Sequence, residues 1–311
     1  MFRSGRITNS PPPRAEASAR LEGRHLYAGQ FWVHFGHFLS ESTARLWADA
    51  SGLDGIVFVP KRPARSIEPL GWQSDFLRLA GLGDLPLRIL RAPTEVERLV
   101  VPGQGFGLGE IARGTPEMHA LARRIAAAVP EGDGGDLYLS RSGLSGSEGS
   151  ALCEEVLEEN LAASGYEIFH PQAHPLPEQI GRYRAARRIV SLDGSALHLF
   201  GFAGHAGQKV AMVKRRTSSA WGNIARQLEG FCGIEPLIVD AVAADWSPEG
   251  KGFGDRQSWG QLDFARLRDA LVAGGFVDEG APWRVPGYRE QRRAAMARGK
   301  GMQRRKTELA A

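Results

Sequence analysis

Residues 187–202 read RRIVSLDGSALHLFGF, and this stretch decides how the rest of the chain is interpreted. A short β-favouring run, Ile189 and Val190, meets an Asp193-Gly194-Ser195 corner, and the apolar residues that follow recur at helical spacing. The pattern predicts a strand, a tight turn and a helix. The first backbone N–H groups of such a helix have no intrahelical acceptor and can hold a phosphate, although an ordinary N-cap explains the corner equally well.

Polar residues with the chemistry of a nucleotide site lie on both sides of this corner. LYLSR, residues 137–141, predicts a strand that ends at Arg141, and open parallel sheets bind ligands at the carboxyl ends of their strands. An arginine there can hold a diphosphate through two parallel hydrogen bonds, or it is simply a surface residue of the Gly/Ser-rich loop that begins at Ser142. Glu178 and Gln179 either bond a ribose or base or cap their own helix, and Lys214 ends a later predicted strand.

In this order and spacing, the polar residues resemble the pattern of glycosyltransferase family 61, which includes bacterial capsular polysaccharide enzymes and plant xylan-decorating transferases. The matching positions are Ser140, Arg141, Glu148, Glu178, Gln179, Ala186, Gly194, Ser195, Ala196 and Leu197. The resemblance covers most of residues 30–240 and is that of a bacterial-type member. Many members have His before the corner glycine, whereas this chain has Asp193. A catalytic or binding role of that histidine in the family therefore cannot be carried over to this chain.

The resemblance implies an α/β protein of the GT-B type, with two facing Rossmann-like lobes built on parallel sheets. It also implies an inverting transfer of a hexose or pentose from a nucleoside-diphosphate sugar to a glycan or other hydroxyl acceptor, in polysaccharide biosynthesis. Donor binding is then expected at Arg141, Ser142, Glu178, Gln179, Gly194, Ser195, Ala196 and Lys214. The chain lacks the Asp-x-Asp signature of metal-dependent transferases, so we expect no metal and no cofactor.

A histidine and a glutamate in the first lobe are the candidate catalytic residues. Apolar residues within 31–50 recur at roughly helical spacing and predict a helix from about Gly36 to Ala50. His37 and Glu41 are four residues apart and would share a face, where the carboxylate can orient the imidazole as a general base. A hydrogen-bonded histidine beside a surface glutamate is the structural alternative. Members of family 61 often have an acidic residue four positions after a histidine here, which implies the catalytic role.

Strands alternating with helices predict parallel sheets, and the EGDGGD run at residues 131–136 predicts a lobe boundary. The predicted organisation is a flexible leader at 1–24, an acceptor-side lobe at 25–130, a nucleotide-sugar lobe at 131–245, a segment with an amphipathic helix at 246–282, and a basic tail at 283–311. At 42% hydrophobic and 24% charged, the composition is that of an ordinary globular protein.

The two cysteines are too few for a disulfide framework, and no apolar run is long enough to span a bilayer, so we expect a cytoplasmic protein. The net charge of +4 is concentrated in the basic tail. A solvated helix that frays is the simplest interpretation of this tail, and peripheral contact with the inner face of an anionic membrane is the alternative. No pattern typical of nucleic-acid binding accompanies it.

Two other functional classes fit parts of the sequence. Parallel sheets with glycine corners also bind nicotinamide cofactors, but no G-x-G-x-x-G motif opens a βαβ unit here. The other alternative is a catalytically silent relative that binds a glycan or acts as a scaffold, and Asp193 in place of histidine is the residue that favours it. The partners expected for an active enzyme are a nucleotide sugar and a glycan or other hydroxyl acceptor, without nucleic acid.

Overall fold

A computed structural model of the protein describes residues 15–61, 68–144, 148–298 and 301–307. The chain forms two compact units. Unit 1 contains Met1–Pro130, His198–Gly204 and Arg226–Gly233, and unit 2 contains Glu131–Leu197, His205–Ala225 and Ile234–Ala311. None of the helices in the described residues has the length and apolar character needed to cross a membrane.

Unit 1 is built on a parallel sheet in the order β3-β2-β1-β4. The strands are β1 (Ala19–Phe31), β2 (Gly55–Pro60), β3 (Leu87–Ile89) and β4 (Thr94–Val100). A short helix, α1 (Phe35–His37), is followed by a π-helical turn (Phe38–Ser42), and the longer helices are α2 (Gly71–Leu79) and α3 (Pro116–Ala127). Strand β2 is almost entirely buried, as its continuous apolar sequence predicts.

The first strand begins inside the predicted leader of residues 1–24. Ala19, Arg20 and Leu21 pair in parallel register with Thr94, Glu95 and Val96 of β4. This end of β1 is mostly exposed and alternates charged residues with Ala19, Leu21 and Gly23, so it lacks the apolar signal of a buried strand. The predicted leader is therefore too long by the six residues 19–24.

The predicted helix from Gly36 to Ala50 is wrong in its length, because helical structure ends at Ser42. The Ser42 side chain accepts a hydrogen bond from the Trp32 backbone N–H (3.0 Å) and donates one to the Gln30 carbonyl (2.7 Å). These two hydrogen bonds connect the end of the π-helical turn to the residues at and just after the end of β1. The Thr43 N–H bonds the Phe38 carbonyl five residues earlier, which is the spacing of a π-turn and not of an α-helix.

Unit 2 is built on a second parallel sheet, in the order β6-β5-β7-β8-β9. Its strands are β5 (Gly135–Leu139), β6 (Glu167–Phe169), β7 (Ala186–Leu192), β8 (Lys209–Val213) and β9 (Leu237–Val239). The helices along this part of the chain are α4 (Glu154–Ala163), α5 (Leu176–Ala185), α6 (Ser195–Ala203) and α7 (Trp221–Cys232). Strand β7 occupies the centre and passes directly into α6, which confirms the predicted strand, turn and helix.

The C-terminal part of unit 2 adds a small antiparallel sheet in the order β11-β10-β12. It comprises β10 (Val242–Pro248), β11 (Trp259–Leu262) and β12 (Met302–Lys306), together with α8 (Phe264–Ala273) and α9 (Tyr288–Ala297). The predicted boundary at 245/246 falls inside β10. The interpretation of residues 283–311 as a solvated, fraying tail is also wrong for α9 and β12, since Ala295 packs with Trp246 and Trp259 and β12 pairs with β10.

Candidate functional site

Arg141 follows β5 at the carboxyl end of the second sheet, and a buried carboxylate fixes its backbone. Glu154 Oε1 accepts hydrogen bonds from the Arg141 N–H (2.7 Å) and the Tyr138 hydroxyl (3.0 Å), and Glu154 Oε2 accepts one from Ser150 (2.6 Å). Burial raises the pKa of Glu154, and these hydrogen bonds oppose the shift. Glu154 is the first residue of α4, whereas Glu148, which matches the family pattern, precedes this helix.

The guanidinium of Arg141 lies against the Gly194 corner. A Cβ atom added to Gly194 would lie 2.8 Å from Arg141 Nη1, so the arginine occupies the space that a side chain at Gly194 would need. Arg141 Nη2 donates to the Gly149 carbonyl at 3.1 Å. Neighbouring strands β5 and β7 thus bring together two residues that are widely separated in the sequence, at the edge where parallel sheets bind ligands.

Two further arginines, Arg215 and Arg216, complete a cationic cluster after the end of β8, next to the predicted donor residue Lys214. Arg215 is buried, and its Nε lies 2.9 Å from the Asp193 carbonyl and 3.2 Å from Asp193 Oδ1. Burial and the nearby charge of Arg141 together lower the pKa of Arg215 to about 9, and Asp193 opposes the shift. Burial also lowers the pKa of Arg216, while Asp193 opposes that shift.

Each arginine of this cluster has a buried N–H that no group in the described residues accepts. These atoms are Arg141 Nε, Arg215 Nη1 and Arg216 Nε. Burial raises the pKa of Asp193, whereas the three positive charges around it lower that pKa. The carboxylates of Asp193 and Glu154 act on these arginines, and Asp255 and Asp245 also act on Arg216. Buried N–H donors without an acceptor, on three neighbouring guanidinium groups, favour the binding of an anion.

Several predicted donor residues make contacts elsewhere in unit 2. Ser142 donates to Glu158 Oε1 (2.6 Å), and Lys214 pairs with Asp240. Ser195 and Ala196 are half-buried at the start of α6, and Glu178 is exposed. The structure therefore brings Arg141 and Gly194 together but gives Lys214 and Ser142 other partners.

Glu178 and Gln179 both contact His174, the residue that follows a short 3₁₀ turn (Pro171–Ala173). Glu178 Oε1 lies 2.7 Å from His174 Nδ1, and the Gln179 side-chain amide donates to the His174 carbonyl at 2.9 Å. Gln179 Oε1 is buried without a described partner. Neither side chain caps α5, whose N-cap residue, Pro175, makes no side-chain capping hydrogen bond. Of the two, Gln179 keeps a buried acceptor that a ligand could use.

In unit 1, His37 and Glu41 form the predicted pair. His37 Nδ1 lies 2.6 Å from Glu41 Oε1, and the side chain of Glu41 is only 4% exposed against 37% for His37. An ionised carboxylate only accepts hydrogen bonds, so this contact assigns the proton to Nδ1 and leaves the lone pair on Nε2. Trp32 stacks on the imidazole at 4.5 Å between ring centroids, which holds the orientation of the ring.

A second histidine of unit 1, His198, lies in the electrostatic neighbourhood of this pair. Burial lowers the pKa of His198, and the nearby charges of His37 and Glu41 also act on it. Its Nδ1 lies 2.6 Å from Gln227 Oε1, while Gln227 Nε2 donates to the His198 carbonyl at 3.0 Å. The amide oxygen is an acceptor, so Nδ1 of His198 also carries the proton. His198 lies within the apolar sequence of α6, and nothing in that local sequence indicates that its side chain has a polar partner.

No group of three or more potential metal ligands occurs among the residues that the structure describes. A search of curated proteins gives no significant match to the chain. The family model described as Glycosyltransferase 61 matches residues 35–210. That span is more than half of the chain and includes His37, Glu41, Arg141 and the Gly194 corner, whereas Arg215 and Arg216 lie beyond its end.

Proposed function

Because the chain belongs to glycosyltransferase family 61, we propose that it transfers a sugar from a nucleoside-diphosphate donor to a hydroxyl acceptor, with inversion at the anomeric carbon. Glycosyltransferase activity follows from the family. The donor class, the stereochemistry and a role in polysaccharide biosynthesis are the proposal. The observation that carries it is the arginine cluster of Arg141, Arg215 and Arg216, each with a buried N–H directed at no described acceptor.

A diphosphate suits this cluster because its oxygens would supply acceptors for the unpartnered N–H groups of all three arginines. The leaving group gains negative charge as the glycosidic bond to the donor breaks, and fixed cations stabilise that charge without reorganisation. The absence of a side chain at Gly194 lets the Arg141 guanidinium lie against the corner, and the start of α6 adds N–H groups with no intrahelical acceptor. Three arginines can therefore supply the charge stabilisation that a divalent cation supplies in other transferases, and we propose a metal-independent reaction.

The acceptor hydroxyl needs a base, and His37 is the group we assign to that role. Its Nδ1 proton is directed to Glu41, so the Nε2 lone pair is available to take the proton of the attacking oxygen. Glu41 then stabilises the imidazolium that forms. A single base and a single displacement are consistent with inversion, as in the family analogy.

The finer parts of the proposal concern architecture and location. We propose the GT-B arrangement, with donor binding in unit 2 and the base in unit 1, and a cytoplasmic enzyme. Asp193, where many family members have histidine, has a defined role in this scheme. It contacts Arg215 through both its backbone carbonyl and its carboxylate and so positions one of the three cations.

A ligand panel followed by one arginine variant tests the proposal. Nucleoside diphosphates and nucleotide sugars are screened by thermal shift, since a ligand at 100 times its Kd stabilises the protein by roughly 2.7 kcal/mol. Arg141→Ala should then weaken the best diphosphate by about 10-fold to 150-fold, the value of a hydrogen bond to a charged group. Arg123→Ala, an exposed arginine of α3, is the control and should bind as the wild type does.

Turnover separates the enzyme from a silent relative. An active transferase should hydrolyse its donor slowly without acceptor and should transfer the sugar when an acceptor is supplied. If the protein binds a nucleotide sugar but neither hydrolyses it nor transfers the sugar, the proposed donor site stands and the proposed catalytic role of His37 is wrong. No stabilisation by any member of the panel would contradict the donor site itself.

A further inference from the structure

One C-terminal segment carries a larger positive charge than the whole chain does. Residues 283–307 contain nine Lys and Arg residues and one Glu, a formal charge of +8. The whole chain carries +4, so the remaining residues sum to −4. A charge separation of this size attracts an anionic surface to one side of a protein, and it falls within a folded segment that contains α9 and β12.

Helix α9 presents its large apolar side chains outward. Ala295 is fully buried and packs near Trp246 and Trp259, whereas Tyr288 and Met296 are 54% and 44% exposed. A helix that only stabilises the fold buries its largest apolar residues and exposes its small ones. Here the order is reversed. Val285, just before the helix, is a third exposed large apolar residue, with 55% of its surface accessible.

Arginines flank Tyr288 and Met296 along the exposed part of α9. Arg289, Arg292 and Arg293 are exposed, and the spacing of Tyr288, Arg292 and Met296 is four residues, which aligns them along the helix. Glu290, the acidic residue of α9, is paired with Arg284 at 2.8 Å. Arg304 of β12 lies over the Tyr288 ring at 5.5 Å and extends the basic surface to the neighbouring strand.

We propose that this face of α9 is a docking surface for an anionic lipid bilayer. The arginines would contact lipid phosphates, while Tyr288, Met296 and Val285 would enter the boundary between head groups and acyl chains. This combination of a basic helix face with aromatic and aliphatic side chains is the pattern of an interfacial helix that lies in the membrane plane. The inference does not depend on the proposed transferase reaction, because it rests on α9 and β12 alone.

The apolar component distinguishes a bilayer from a nucleic acid. A nucleic acid would use the same arginines for its phosphates, and Tyr288 could stack on a base, but neither Met296 nor Val285 would gain from such a contact. At a bilayer both residues leave water for an apolar region. The charge should bring the protein to the membrane at low salt, and the apolar side chains should retain part of the binding when salt screens the charge.

Vesicle sedimentation with the full chain tests this surface. We expect binding to vesicles of mixed phosphatidylcholine and phosphatidylserine and weak binding to pure phosphatidylcholine. The triple variant Arg289→Gln/Arg292→Gln/Arg293→Gln should bind the mixed vesicles about 100-fold more weakly, from about 1 kcal/mol for each basic side chain near an anionic surface. The matched control changes three exposed arginines of unit 1, Arg88→Gln/Arg98→Gln/Arg123→Gln, and removes the same charge. That control should bind as the wild type does.

A second variant isolates the apolar contribution. Tyr288→Ser/Met296→Ser keeps every charge and should lower binding most clearly at high salt. All these side chains are exposed, so the melting temperatures should stay near that of the wild type. The proposal is overturned if the α9 triple variant and its control bind equally, if the Ser variant binds like the wild type at high salt, or if single-stranded RNA binds more tightly than the mixed vesicles.

Discussion

In Gly194→Ala, a single added methyl group would meet the arginine on which the proposed donor site depends. The new Cβ would lie 2.8 Å from Arg141 Nη1, whereas non-bonded heavy atoms of this kind are at their optimum near 3.5 Å or beyond. One of the two groups must move by roughly 0.7 Å. The Arg141 guanidinium is the end of a flexible side chain, so we expect it to move while the backbone corner stays in place.

That displacement is large for a hydrogen bond, because N–H···O bonds occupy a range of only about 0.5 Å in donor–acceptor distance. A charged hydrogen bond to the diphosphate contributes about 1.5–3 kcal/mol, so Gly194→Ala should weaken nucleoside diphosphate binding by about 10-fold to 150-fold. The free energy of unfolding should change little. Alanine restricts the unfolded chain more than glycine does, which favours folding by about 0.4–1 kcal/mol, and this gain offsets the cost of moving the arginine.

The assay is calorimetric titration of one nucleoside diphosphate into wild type, Gly194→Ala, Arg141→Ala and the double variant. If the alanine acts through Arg141, its effect should disappear when Arg141 is already absent, so the cycle should be strongly non-additive. Gly222→Ala is the matched control, because an added Cβ at Gly222 of α7 has no neighbour within 4 Å. Wild-type affinity in a folded Gly194→Ala protein, or additive effects in the cycle, would refute the reasoning.

Three other predictions concern the reaction and the histidines of unit 1. Turnover should survive an excess of chelator, and activity that vanished with EDTA and returned with manganese or magnesium would contradict metal-independent transfer. His37→Ala should lower single-turnover transfer at saturating donor by roughly 100-fold to 10,000-fold with nearly unchanged donor affinity, and Glu41→Gln should do less damage because it keeps a hydrogen bond. Burial lowers the pKa of His198, so in acid the unfolded state binds a proton that the native state does not, and stability should fall as pH drops below about 6.5. His198→Asn, which keeps a donor for Gln227, should flatten that fall in urea unfolding between pH 5 and pH 8; an unchanged slope would contradict the shift.

Local pattern and one rule of parallel sheets were enough to predict the core of unit 2. The β-favouring run before Gly194 and the apolar spacing after it are local signals, and both the strand β7 and the helix α6 occur where they indicate. The juxtaposition of Arg141 with Gly194 follows from a sheet rule, because ligand-binding residues collect at the carboxyl ends of neighbouring strands. Neither inference required knowledge of a distant contact.

The choice between Lys214 and Arg215 could not be made in the same way. Both follow β8 directly, and a flexible lysine at a strand end is as plausible a phosphate ligand as an arginine. The structure separates them by their partners, since Lys214 meets Asp240 after β9 while Arg215 reaches the backbone and side chain of Asp193. Those partners come from other strands, so tertiary packing assigns the roles and the residue types do not.

The C-terminal tail shows a different limit of sequence patterns. Its apolar residues are sparse, and this composition is typical of a solvated end, but the fold uses small contacts in their place. Ala295 packs beside two tryptophans, and Arg304 lies near the Trp246 ring. A buried alanine and a cation–π contact therefore hold this segment on the fold, where a stripe of leucines would usually do so. Periodicity of large apolar residues cannot detect packing of this kind.

His198 shows why a match to a family pattern identifies a site only in part. Its position in α6 lies inside the matched span, whereas Gln227, which fixes its tautomer, lies outside that span. A histidine in an apolar helix is ambiguous until its hydrogen-bond partner is known, because the partner decides which nitrogen keeps its lone pair. The hydrogen-bond partners therefore separate two histidines that the sequence shows as equals. His37 contacts a carboxylate, whereas His198 contacts a neutral amide and is buried, which lowers its pKa.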